Sequence, residues 1–487
     1  MSEKTDNESL RLMQDVIDNT MAMEIQGRIS GLTGLTVEVS DFAAPVGAQC
    51  EIITRNGPVI PAELIGFRGN VAVLMPLAEM VGIACGDWVV CRGGLAAVPV
   101  GEHLLGRVIN GAGEPIDGKG PLLCNSRRSV LADALPPLER RRIETPISTG
   151  IRAIDALMTC GCGQRMGIFS GPGVGKSVLL GMIGRYTSAD VNVIGLVGER
   201  GREVQEFIEK DLGPEGLARS VVVVSISHEP APLRVRAGFV ATTIAEYFRD
   251  KGKDVLLLMD SVTRIAMAQR QIGLALGEPP ATRGYTPSVF ALLPRLLERC
   301  GRSLRGSITG FYTVLVEGDD LSEPISDALR GILDGHLWLS RDLANRGHYP
   351  AVDILESISR VMPDVVDEAH WQWARVITHL TAVYRDIEDL VNIGAYAEGT
   401  NPEYDLAVRA RVEINQFLQQ LIRERFSLEQ TQRDLKTLVE RIAGGSVGRN
   451  ANPQQPDQGV GNQPSQNNPD NQNQRPMPGL ERMMAGV

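Results

Sequence analysis

Residues 166–177 read Met-Gly-Ile-Phe-Ser-Gly-Pro-Gly-Val-Gly-Lys-Ser, and no other stretch restricts the fold as tightly. An apolar run at 166–169 predicts a buried strand, and the Val-Leu-Leu-Gly-Met-Ile run at 178–183 predicts a helix. A glycine-rich turn joins them and puts Gly-Lys-Ser at the helix start, the layout of a phosphate-binding loop. Gly171, Gly173 and Gly175 can adopt positive φ and carry no Cβ, so successive backbone N–H groups can turn inward as an anion nest. The helix N-terminus adds partial positive charge. The loop from Ser170 through Gly171, Pro172, Gly173, Val174 and Gly175 to Lys176, Ser177 and Val178 is therefore the expected nucleotide cradle. Lys176 can reach the β- and γ-phosphates, and the Ser177 hydroxyl can ligate Mg²⁺. One position departs from the G-x-x-x-x-G-K-S pattern: Ser170 stands where the first glycine is usual.

The pattern around this loop is that of an α/β domain. Apolar runs at 191–197, 220–225, 255–259, 309–315 and 336–339 alternate with helical segments at 177–187, 232–251 and 286–300. Such alternation predicts a mainly parallel sheet covered on both faces, with its ligand outside the carboxyl ends of the strands. Upstream, Leu35, Val37 and Val39 alternate with polar residues, and short apolar runs follow at 50–54, 62–67, 71–75 and 88–91, split by Gly and Pro. That spacing predicts a small β-barrel of structural role. Residues 98–145 read as a linker crossing onto the next domain, with turn chemistry at 111–118. Residues 376–443 read as helices, with a capping box at Ser427 and Gln430 and an apolar stripe of Leu435, Leu438, Val439 and Ile442. The boundaries are thus an N-terminal segment 1–22, a barrel 23–97, a nucleotide-binding domain 98–375, a helical domain 376–443 and a tail 444–487. In the first segment Leu10, Met13, Ile17 and Met21 share a helical face, which fits a solvated helix or a docking helix equally. The tail is rich in Asn, Gln, Pro and Gly and cannot offset its ordering entropy, so it is expected to be disordered.

Composition excludes several classes. The net charge is −10, which gives no electrostatic bias toward nucleic acid or anionic lipid. No apolar run approaches the roughly eighteen residues of a membrane span, and the opening Met-Ser-Glu-Lys-Thr-Asp is too polar for a signal peptide. The 7 cysteines are odd in number and irregular in spacing. Packing thiols in a reducing cytosol fit them better than a disulfide framework or a zinc site.

Hydrolysis needs more than a phosphate loop: a metal, a group that polarises water and a positive charge for the transition state. The apolar run Val255–Met259 ends on Asp260, where a carboxylate can hold the metal through water. Glu199 and Arg200 follow another apolar run, and Glu199 could orient or deprotonate the attacking water. The residues alone leave open that Glu199 is a surface glutamate in a charged loop.

Several longer stretches narrow the reading. Gly-Glu-Arg-Gly-Arg-Glu-Val at 198–204 resembles the catalytic-glutamate segment of the rotary ATPase superfamily. Its Gly-Arg-Glu-Val continuation is similar to the flagellar and type III secretion export ATPases rather than to ATP synthase β subunits. Residues 256–270, 277–285, 294–301, 347–362 and 392–396 resemble the same family, so the likeness runs from about 24 to 442 and is closest to the flagellum-specific export ATPases. The resemblance implies an N-terminal β-barrel, a central RecA-like domain binding ATP and Mg²⁺, and a C-terminal helical domain. It implies Glu199 as the catalytic carboxylate, Tyr349 as the aromatic near adenine, and Arg360 as the arginine offered to a neighbouring subunit's γ-phosphate. Read alone, Arg360 would be a helix-start arginine paired with a nearby acid. Arg200 and Arg264 would support the site. The family tolerates a small residue at Ser170, whereas the segment 417–420 lacks the Pro-Phe that walls the adenine in synthase β subunits.

The family further implies a cytoplasmic homohexamer, peripheral at the inner-membrane export apparatus, tethered by a stator-like regulatory protein beneath the membrane export gate. It would take flagellar export substrates and their chaperones and bind no nucleic acid. The alternatives are a virulence-type III secretion ATPase, a catalytic subunit of a rotary ATP synthase, a hexameric RNA translocase and a nucleotide-locked structural subunit. The acidic balance and a barrel poor in Arg and aromatics argue against the translocase. Intact Lys176, Glu199 and Asp260 argue against the structural subunit.

Overall fold

A computed structural model describes residues 24–444 apart from 56, 96, 317 and 319–322. The expectations for the segment 1–22 and for the tail beyond 444 lie outside the described residues.

Six strands close the N-terminal barrel: β1 (Gln26–Thr33), β2 (Thr36–Ser40), β3 (Ala48–Ile53), β4 (Val59–Arg68), β5 (Val71–Pro76) and β6 (Trp88–Leu95), in the order β1-β2-β5-β4-β3-β6. Closure leaves no free sheet edge. Val37, Val39, Ile52, Leu64 and Leu74 fill the interior. The expected alternation begins at Val37 rather than Leu35, because Leu35 sits in the β1–β2 turn and is exposed. Strand β1 escaped the sequence reading. Its Gly27 is required by crowding rather than by a turn: a Cβ there would lie 2.5 Å from Val39 and 2.8 Å from Phe42.

The central domain is built on a nine-stranded sheet. Eight of its strands are β7 (Val108–Asn110), β8 (Arg165–Ser170), β9 (Val191–Val197), β10 (Ser220–Ser225), β11 (Asp254–Asp260), β12 (Ser307–Leu315), β13 (Gly335–Leu339) and β14 (Val352–Ser359). They lie in the order β14-β13-β8-β12-β11-β9-β10-β7, all parallel except the edge strand β14. The apolar runs read from the sequence are these strands, and burial on both faces explains why they are continuous rather than alternating. The segment expected to be a linker does more than connect, since its β7 pairs with β10 and extends the sheet.

The helices that matter below are α1 (Lys176–Tyr186), α2 (Ala231–Asp250), α3 (Val262–Leu276), α4 (Pro287–Leu297) and α5 (Pro324–Ile332). The barrel docks on α2 and α3 through the Arg236–Glu63 ion pair and the Arg68 guanidinium, which donates to the Ala275 carbonyl at 2.6 Å. Three C-terminal helices, α6 (Glu368–Asn392), α7 (Pro402–Leu418) and α8 (Leu428–Gly444), pack with one another and on the short helix Arg152–Leu157. Ser427 accepts from the Gln430 backbone N–H, as its capping position requires. Among the described residues no helix is long and apolar enough to cross a membrane.

Candidate active site

Strand β8 is held between β12 and β13, and its last carbonyl, that of Ser170, accepts the Val316 N–H at 3.0 Å. The chain then leaves the sheet and turns at Gly173 and Gly175, with φ of 81° and 90°. These values lie in the left-handed region that a side chain penalises. Gly171, expected to share that conformation, does not. Buried Val174 anchors the loop while Pro172 is exposed, and Gly175 caps α1. Lys176 and Ser177 occupy the first turn of α1, with Ser177 exposed at the mouth and Val178 half-buried.

Two carboxylates converge on the lysine. Asp260, the last residue of β11, places Oδ1 2.5 Å from Lys176 Nζ, and Glu199, just past β9, places Oε1 3.7 Å from it. The neighbouring strand β12 supplies Thr313, whose hydroxyl donates to Asp260 Oδ1 at 2.7 Å. Glu199 Oε1 lies within ion-pair reach of the lysine, yet it is buried and has no hydrogen-bond partner. Burial, reinforced by the Asp260 charge, pushes the Glu199 carboxyl up to about 7 against the opposing pull of Lys176 and Arg264. Gly198 makes room for this arrangement: its φ is 76°, and the Arg264 side chain crosses where a Cβ would sit, within 2.7–3.0 Å.

Arg200, Tyr349 and Arg360 fall in three different environments. Tyr349 lies over the loop, its ring 3.4 Å from the position of a Cβ on Gly175. Arg200 faces solvent, 79% exposed, and pairs with Glu203 at 3.5 Å rather than joining the cluster. Arg360 is exposed at the other end of the sheet. Ser359 is opposite Gly335 in the antiparallel β13–β14 pair, whereas Ser170 is opposite Leu339 in the parallel β8–β13 pair. Four strand steps, about 13 Å at the usual rise, separate the two levels. The arginine of one chain therefore cannot serve that chain's own loop without dismantling the sheet.

Two residues behind Tyr349, Arg152 and Gln420, have no local sequence signal. Arg152 donates to the carbonyls of Phe417 at 2.5 Å and Gln419 at 2.7 Å, and its backbone N–H donates to Gln420 Oε1 at 2.8 Å. Gln420 is buried and also donates to the Gly150 carbonyl at 2.9 Å, while its own N–H reaches the Tyr349 carbonyl at 3.0 Å. This pair fastens the end of α7 against Tyr349. It is the wall expected to differ from that of synthase β subunits, and Leu421 and Ile422 are exposed beside it.

A carboxylate pair and a lysine beside a glycine-turned loop, at the carboxyl end of a parallel sheet and the start of a helix, have the layout of a phosphate-binding site. Comparison with known proteins agrees. Residues 150–359 match the ATP synthase alpha/beta family, nucleotide-binding domain, and residues 366–437 match the T3SS EscN ATPase C-terminal domain. The flagellum-specific ATP synthase of Treponema pallidum is 52% identical over 85% of this chain and 93% of its own length. This chain belongs to the flagellum-specific and type III secretion ATPase family. By that membership it is a nucleotide-binding, ATP-hydrolysing enzyme. The type 3 secretion system ATPase of Xanthomonas euvesicatoria is 51% identical over 81% of this ATPase and 89% of its own length. Among solved structures, assembled EscN from enteropathogenic E. coli in complex with its central stalk EscO superposes with a TM-score of 0.79 at 45% identity. It covers 85% of this chain and 100% of that one.

Proposed function

We propose that this chain is the ATPase of a flagellar type III protein export apparatus, working as a homohexameric ring whose active sites lie between adjacent copies. The observation that carries this reading is the division of the site. Lys176, Glu199 and Asp260 meet at one end of the sheet, while Arg360 stands at the other, where only a neighbouring copy could use it. The backbone of 171–175 and the Lys176 ammonium bind the β- and γ-phosphates, and Tyr349 stacks near the adenine. Glu199, with a carboxyl near neutrality, takes the proton of the attacking water. The neighbour's Arg360 stabilises charge developing on the γ-phosphate. Arg200, facing solvent in the single chain, supports the nucleotide from the ring interface.

The donor set also fits Mg²⁺. The buried Asp260 carboxylate and the exposed Ser177 hydroxyl are oxygen donors on either side of Lys176, and this ion commonly takes few protein ligands alongside phosphates and water. Beside them Glu199 Oε1 is a buried oxygen with no hydrogen-bond partner, a further acceptor for the ion's water shell. When bound, the ion neutralises charge on the β- and γ-phosphate oxygens.

By analogy with EscN and EscO, a central stalk partner would sit within the ring, and a stator-like regulator would hold the ring beneath the membrane export gate. Export substrates and chaperones would be its clients. A virulence-type secretion ATPase is the second reading, supported by the near-equal identity to the Xanthomonas protein, and the neighbouring genes separate the two. The catalytic assignment is tested by Glu199→Gln, which should bind ATP yet lose about two to four decades of phosphate release. Wild-type turnover no faster than that variant would overturn it.

A further inference from the structure

Helix α5 lies between β12 and β13 in the chain and ends beside Arg360. Eight residues separate the end of β12 at Leu315 from the helix's amino end at Pro324, and the first of them, Val316, is bonded to the Ser170 carbonyl at the base of the phosphate loop. Glu323 caps that end, its carboxylate accepting the Ser326 N–H at 2.8 Å. Nine residues later the helix stops where Arg360 lies. The Arg360 guanidinium donates to the carbonyls of Leu333 and Arg330, each at 3.4 Å, and its backbone N–H donates to the Asp334 carbonyl at 3.0 Å. The carbonyl end of a helix is a favourable place for a cation. Side-chain bonds of that length are weak, so the arm is placed by the helix end without being locked to it.

The underside of α5 rests on the phosphate-loop strand. Ile325, Leu329 and Leu333 are buried in the same cluster as Phe169, the residue before Ser170. A Cβ on Gly167 would lie 2.5 Å from the Phe169 ring and 2.9 Å from Leu333, so ring and leucine crowd over one bare glycine. The Phe169 ring meets His336 edge-on, with centroids 5.6 Å apart and planes at 73°. His336 in turn bonds the Glu356 carbonyl on β14, four residues before Arg360, at 3.0 Å. A movement of the loop strand thus reaches Arg360 along two routes, through Leu333 and through His336.

We propose that Phe169, Leu333 and His336 are positioning residues that couple the nucleotide state of a chain's own loop to the placement of the Arg360 it lends to its neighbour. The inference rests on the reading that Arg360 acts on the adjacent copy. Its physical content is a differential one: the filled and empty loop must favour different placements of α5 and β14. Successive sites around a ring would then fire in an order set by occupancy.

Mixed rings test this. An Arg360→Ala chain keeps its own loop machinery but lends no arginine. It is mixed with an excess of a donor that lends Arg360 but cannot turn over: Glu199→Gln, whose loop holds ATP, or Lys176→Ala, whose loop stays empty. Donor occupancy is read with a fluorescent ATP analogue, and phosphate release is expressed per ring counted by mass photometry. The two donors should differ at least threefold in the turnover they restore. Adding Leu333→Ala and His336→Gln together to both donors cuts both routes and should bring them within about 1.3-fold of each other, and His336→Gln alone should narrow the difference without abolishing it. Equal restoration by the two donors with native Leu333 and His336 would overturn the coupling alone, as would a difference undiminished in assembled rings carrying both substitutions. No restoration by any donor would overturn the shared-arginine reading, and the coupling with it.

Discussion

Replacing Glu199 with glutamine should stabilise the nucleotide-free protein, by an amount that grows with pH. The Glu199 carboxyl is pushed from an ordinary 4.5 up to about 7 because the folded chain buries it near Asp260. The folded protein therefore holds this proton more tightly than the unfolded chain does. The stability it lends is complete below pH 4.5 and is lost as pH rises through about 7. Each tenfold change in proton affinity is worth about 1.4 kcal/mol, so the loss is under about 1 kcal/mol at pH 5 and near 3 kcal/mol at pH 8. Glutamine has the same shape and never ionises. Its advantage should widen by roughly 2–3 kcal/mol between those two pH values. Urea unfolding of the empty protein, wild type against Glu199→Gln, measures this as a midpoint gap that opens with alkalinity. A gap of the same size at both pH values would refute the reasoning, because the carboxylate would then be solvated like any surface acid.

The same carboxyl predicts that kcat/KM for ATP rises about tenfold between pH 6 and pH 8, following ionisation of the base in the free enzyme. A pH–rate profile flat over that range would contradict it. Gln420→Ala would leave the Gly150 carbonyl and Arg152 N–H without their side-chain partner and loosen the wall behind Tyr349. A several-fold higher KM for ATP with kcat within twofold is expected in steady-state assays.

Much of this is legible in the sequence. The phosphate loop, Asp260 and Glu199 each stand at the end of an apolar run, and a run buried on both faces must end at the sheet's rim. Local pattern carried that information. It did not carry β14, an edge strand whose antiparallel course sets where Arg360 points, or β7, three residues inside a turn-rich stretch. The clamp of Arg152 on Gln420 spans 268 positions and follows no periodicity. Gly171 looked like its two companions because composition gives permission for positive φ, whereas only the path of the loop decides which glycine uses it. Arg200 looked like a site residue from its place after Glu199. In the single chain the backbone turns it outward to Glu203.

The central claim is that each site is completed by the next copy, and the most direct measurement is turnover per chain across a dilution series, with assembly state recorded in parallel by mass photometry. The account predicts a rate per chain that climbs with concentration and levels off as rings fill. Arg360→Ala should assemble over the same range with turnover lower by about three decades or more at every concentration. A rate per chain that stays flat on dilution to single copies, or an Arg360→Ala ring as active as the wild type, would contradict it.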